Sequence, residues 1–70
     1  MERLHIGDRV LYCDNYWEVI NACYRARDRV TQVVKLIRVA DIESNRIKRP
    51  SIKARADKCN IIYESRHKFT

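Results

Sequence analysis

The chain has 70 residues, with fifteen Lys and Arg against nine Asp and Glu and a formal charge of +6; its isoelectric point is near 9.6. A chain this short makes one domain that buries only about 60% of the surface its unfolded form exposes, which leaves little room for a deep catalytic pocket. The charge points toward polyanions, because neutralising phosphates releases condensed counterions, although excess positive charge also keeps a small protein soluble.

The only glycine lies in IGDRVLY, where Gly7-Asp8 predicts a turn that feeds a strand from Arg9 to about Cys13. Asp14-Asn15 is the next turn signal, followed by a long β-prone run, Tyr16 to Ala26. Arg27-Asp28-Arg29 interrupts that run, and VTQVVKLIRV, Val30 to Val39, resumes it. Val30, Val33, Val34 and Ile37 also fit a helical stripe. However, six of these ten residues are β-branched, and such side chains lose rotamer freedom in a helix and pack well on a pleated surface. The segment is read as a strand. Apolar residues fall on both of its faces, Val30, Val34 and Leu36 on one and Val33, Ile37 and Val39 on the other. A sharp bend with a bulge in this strand would let its two halves serve different parts of a barrel.

Ala40 to Pro50 is polar and predicts a loop, with a short helical turn from Asp41. SIKARA, Ser51 to Ala56, alternates with Ile52, Ala54 and Ala56 on one face and Lys53 and Arg55 on the other. Asp57 to Cys59 reads as one tight turn, Asn60 to Tyr63 as a last strand, and ESRHKFT as a frayed tail.

The order RVLY, WEV, a long hairpin and then SIKARADKCNIIY resembles an SH3-like barrel. It is similar in particular to the nucleic-acid-binding branch that includes retroviral integrase C-terminal domains, and IGDRVLY is similar to the opening of KOW and Tudor-type domains. The likeness runs from Ile6 to Glu64; unlike KOW domains, the second strand lacks a glycine after its first apolar residues. It implies an all-β fold: a small five-stranded SH3-like barrel with a long bent central hairpin over residues 1–64, and a flexible C-terminal tail over 65–70. It implies function only weakly, since this barrel carries many unrelated roles.

Catalysis finds no support in the residues. The two histidines, His5 and His67, stand near the chain ends, and no nucleophile–base motif, phosphate-binding glycine loop or paired carboxylate motif is present. Cys13, Cys23 and Cys59 are odd in number and at least ten positions apart, unlike the close pairs of a zinc site, so neither metal nor other cofactor is expected. The first residues lack the pattern of a signal peptide and no apolar run nears the roughly 20 residues that span a membrane, which predicts a cytoplasmic or nucleoid-associated protein with reduced thiols.

The basic residues form two groups. Arg46, Lys48, Arg49, Lys53, Arg55 and Lys58 occupy the polar loop and the strand after it, diluted by one acid, while Arg25, Arg27 and Arg29 crowd the tip of the long hairpin. Arg forks bind phosphate bidentately, so such a tip can straddle a nucleic-acid backbone. The competing reading is a solvated edge charged against strand pairing.

Of the adjacent rings in YCDNYWEV, one of Tyr16 and Trp17 faces the core, because strand side chains alternate. Tyr12 and Tyr16 are candidates for stacking on bases beside the Arg tip. A methyl-lysine cage from Tyr12, Tyr16, Trp17 and Asp14 is disfavoured by the cationic, ring-free segment KRPSIKAR expected to complete it.

The expected function is therefore DNA or RNA binding, mainly through phosphates, with a regulatory role among the expectations. The alternative is a protein-interaction module: a free-standing barrel of this size resembles small regulatory or phage-encoded proteins that dock on an acidic surface of a larger enzyme. A Val30–Val39 edge would then add to a partner's sheet or form a homodimer.

Overall fold

Tyr12 and Asn15 face each other across a two-residue turn in which Cys13 (φ 49°) and Asp14 (φ 61°) both adopt positive φ. Two left-handed central residues give the backbone twist that matches the flanking strands of a tight hairpin, and the Asn15 side-chain amide donates to the Cys13 carbonyl at 3.1 Å. The turn thus lies one residue earlier than Asp14-Asn15, because Asn15 already belongs to the ladder. The computed structural model describes residues 4–45 and 47–65.

Five strands follow in chain order: β1 Arg9–Tyr12, β2 Asn15–Arg25, β3 Gln32–Arg38, β4 Ser51–Arg55 and β5 Asn60–Tyr63. A short helix, α1 (Val39–Glu43), leaves β3, and a single 3-10 turn, Ala56–Lys58, links β4 to β5. All pairings are antiparallel and form one sheet in the order β4-β3-β2-β1-β5, with β4 and β5 as its edges. The protein is a small all-β fold.

The bend expected in the third strand belongs to the second. Along β2 the buried positions are Trp17 and Val19 and then Ala22, so the buried face changes parity. The cause is a pair of register shifts against β3, between Val19 and Asn21 and between Asn21 and Tyr24. Each extra residue turns the following side chains over and bends the strand. β3 alternates regularly, with Gln32, Val34 and Leu36 buried. Val30 is 77% exposed in the loop before it, and Val39 opens α1, so the strand is shorter than the apolar run suggested.

The core joins Leu4, Val10, Trp17, Val19, Ala22, Val34, Leu36, Ala54, Ala56 and Cys59, with Tyr12, Ile52 and Ile61 packed against it. Fully burying one such Leu or Val side chain contributes about 1.5–3 kcal/mol.

Two buried polar side chains tie the chain ends to this core. The Gln32 amide accepts from the Leu4 N–H at 2.9 Å and donates to the carbonyls of Leu4 at 2.9 Å and Ala22 at 3.1 Å. The Asp8 carboxylate accepts from the His5 N–H at 2.9 Å and from the N–H and hydroxyl of Ser65 at 2.9 and 3.1 Å. Ser65, assigned to the tail by its sequence surroundings, is thereby part of the folded unit. Gly7, at φ 95°, lets this junction close: a Cβ there would lie 2.9 Å from the Ser65 Cβ.

Candidate nucleic-acid interface

Side chains directly opposite in an antiparallel pair share a face, about 4.5–5.5 Å apart at Cβ. The register sets Lys53 of β4 opposite Lys35 of β3, which is in turn opposite Asn21 of β2. The next row is Arg55, Val33 and Tyr24. The outer face of β2, β3 and β4 therefore carries Lys35, Lys53, Arg55 and Tyr24 together, and the Lys53 ammonium sits 4.2 Å from the Tyr24 ring centroid.

This block differs from the other side of the sheet. Where β1 meets β2, Arg9 faces Glu18 and the two pair at 3.2 Å. Where β3 meets β4, lysine faces lysine, and neither joins an ion pair among the described residues.

The hairpin tip adjoins the Arg55 end of the block. Asp28, flanked by Arg27 and Arg29, directs its carboxylate onto its own loop. It accepts from the Thr31 hydroxyl at 2.6 Å and from the N–H groups of Thr31 and Val30, each at 2.9 Å. These bonds, the Thr31 hydroxyl foremost and the Arg55 charge least, hold its pKa down at about 2. Arg29 completes the loop at φ 61° with its N–H on the Ala26 carbonyl at 2.9 Å. The Arg55 guanidinium reaches the Thr31 hydroxyl at 3.4 Å and Asp57 at 3.3 Å, which connects tip and sheet. Asp28 is thus an organiser of the loop as well as a diluting charge.

The expected basic residues fall along this arrangement. Arg25, at the end of β2, and Arg27 and Arg29 in the tip are exposed, as are Lys53, Arg55 and Lys58 along β4 and the 3-10 turn. Lys48 and Arg49 are exposed in the loop that enters β4 at its far end, with the Arg49 guanidinium donating to the Asn45 side-chain oxygen Oδ1 at 3.4 Å. Arg46 lies outside the described residues. Lys35 was missed by sequence reasoning, since it stands alone among apolar residues and only the β3–β4 register places it opposite Lys53.

Tyr12 and Tyr16 are not beside the Arg tip. Tyr16 is at the opposite end of β2 and Tyr12 at the adjoining end of β1, with about 30 Å of bent strand between Tyr16 and Arg25. Trp17 is the core ring of the adjacent pair, 7% exposed, and Tyr16 is the surface ring at 59%. The Trp17 indole N–H donates to the Tyr12 carbonyl at 2.9 Å, the Tyr12 ring meets it edge-on at 6.5 Å, and Arg38 lies 5.7 Å from its centroid. That packing closes the indole off from a cage. The ring on the basic block is Tyr24.

β3 also lacks the free edge that would let Val30–Val39 extend a partner's sheet or form a homodimer. It is hydrogen-bonded to β2 on one side and β4 on the other.

Comparison with protein-family models, curated proteins and solved structures returned no match for this chain.

Proposed function

We propose that this is a small nucleic-acid-binding domain that holds phosphates on the outer face of β2, β3 and β4 and on the adjoining hairpin tip. The observation that carries the reading is Lys35 directly opposite Lys53, with Arg55 two positions further along the same face. Like charges in that relation destabilise a sheet, and a polyanion laid across them would remove the repulsion while releasing its own counterions. Lys48, Arg49 and Lys58 extend the band, and Arg25, Arg27 and Arg29 supply forked donors at its end.

The test is fluorescence anisotropy with labelled oligonucleotides over a range of salt. The logarithm of the binding constant is expected to fall linearly with the logarithm of salt concentration, by roughly 0.7–0.9 per phosphate contact. Changing Arg25, Arg27 and Arg29 together to Ala should flatten that slope, and an unchanged slope would remove the tip from the site.

A second reading rests on a different surface. Ile6 is 61%, Ile62 51% and Tyr63 38% exposed, on or near β5, an edge strand of the sheet among the described residues. A protein partner adding a strand there would bind one-to-one with little salt dependence.

A further inference from the structure

Nucleic-acid sites that prefer single strands combine a positive groove with aromatic faces on which successive bases stack. The block of Lys35, Lys53 and Arg55 has the charge, yet its ring is Tyr24, and the Lys53 ammonium sits 4.2 Å from that ring's centroid. A base cannot stack on a π-face that a cation already covers without first displacing it. The most exposed ring among the described residues, Tyr16, lies beyond the row Glu18–Ile37–Ser51, about 16 Å of strand from Asn21 in the lysine row. Glu18, itself paired with Arg9, thus stands between the exposed ring and the block of Lys35, Lys53 and Arg55. Trp17 and Tyr12 are engaged with each other, and Trp17 also with Arg38.

What remains available on the band is charge alone: lysine ammoniums, guanidinium forks and a hairpin tip held by Asp28. Charge alone favours the polymer with the higher charge density. A DNA duplex carries one charge per 1.7 Å of axis, against 3.4 Å for each of its strands, and returns more counterions per contact.

We infer, resting on the proposed phosphate-binding reading, that the site is built for duplex nucleic acid, gripped by its backbone, and that Lys53 excludes single strands by occupying the Tyr24 ring. The Arg27–Arg29 tip then reaches the groove beside the phosphates held by Lys35, Lys53 and Arg55.

The experiment measures binding of a short labelled DNA duplex, an RNA duplex of the same sequence and each component strand, at equal phosphate concentration and two salt concentrations. At least one duplex is expected to bind about tenfold tighter than its strands, with the steeper salt slope that duplex contacts produce. Tyr24→Leu should leave duplex affinity within about twofold, since the ring makes no stacking contribution there. Lys53→Met should weaken duplex binding and narrow the duplex-to-strand ratio by uncovering the ring. Circular dichroism of both variants confirms that they fold. Strands binding as tightly as both duplexes, or Tyr24→Leu costing most of the strand affinity, would overturn the duplex inference and leave phosphate binding standing. No binding to any of the polymers at low salt would overturn both.

Discussion

Gln32 holds Leu4 by both of its backbone groups: its side-chain oxygen accepts from the Leu4 N–H and its side-chain nitrogen donates to the Leu4 carbonyl, each at 2.9 Å. A side-chain amide here imitates the donor–acceptor pattern of a neighbouring strand. It joins the N-terminal segment to β3 at a site where both residues are buried.

Replacing Gln32 with Met keeps much of the volume and removes these two hydrogen bonds and the one to the Ala22 carbonyl. Three buried backbone groups would be left unpaired at about 1–3 kcal/mol each, so a loss of at least about 3 kcal/mol is expected. Urea denaturation measures it as a lower midpoint with an unchanged slope. A midpoint close to wild type would mean that water replaces the amide and that the pairing contributes little.

Gly7 makes a second structural test. At φ 95°, with a would-be Cβ 2.9 Å from the Ser65 Cβ, Gly7→Ala combines backbone strain of about 1–3 kcal/mol with a steric clash. Faster amide exchange at Ser65 than in wild type would locate the damage at the Asp8–Ser65 junction. Equal melting temperatures for the two proteins would refute the account.

Asp28 gives the hairpin tip a pH dependence. Its carboxyl is lowered from 3.8 to about 2 by the Thr31 hydroxyl and the N–H groups of Thr31 and Val30. A depressed folded-state pKa means the contribution is complete above about 4 and is lost as the pH falls through about 2. Asp28→Ala should therefore be less stable than wild type at pH 6, with the difference closing toward pH 2. Paired thermal melts across that range provide the check, and a pH-independent difference would contradict the assignment.

Lys35→Glu separates stability from binding. It places a carboxylate opposite Lys53. Exchanging a like-charge pair for an opposite-charge one should stabilise the sheet by about 0.2–1 kcal/mol. The same change should weaken oligonucleotide binding and flatten its salt dependence by about one contact. A variant that melts higher yet binds as tightly as wild type would place the phosphate site elsewhere.

Much of the fold was legible because its signals are local. The Ile52–Ala54–Ala56 alternation marked the inner face of β4, β-branching marked β3, and the polar run before Pro50 marked the loop. The choice between Trp17 and Tyr16 as core ring followed from period two once either was placed. The site was legible only in its charges. Lys53 and Arg55 share a face by alternation within one strand, whereas Lys35 stands opposite Lys53 only through a pairing between strands.

Charge, strand content and the crowding of arginines at one turn were determined by the sequence alone, because each depends on neighbours a few positions apart. The tertiary structure decided the rest. It put two extra residues into β2 rather than bending β3, and buried β3 between two partners so that Val30–Val39 has no open edge. It also set lysine against lysine, covered Tyr24 with Lys53, and carried Tyr16 to the far end of β2 from Arg25, Arg27 and Arg29. The physical reason is register: side-chain periodicity is written into each strand, but which residue faces which across a ladder emerges only when turns, bulges and core packing are satisfied together.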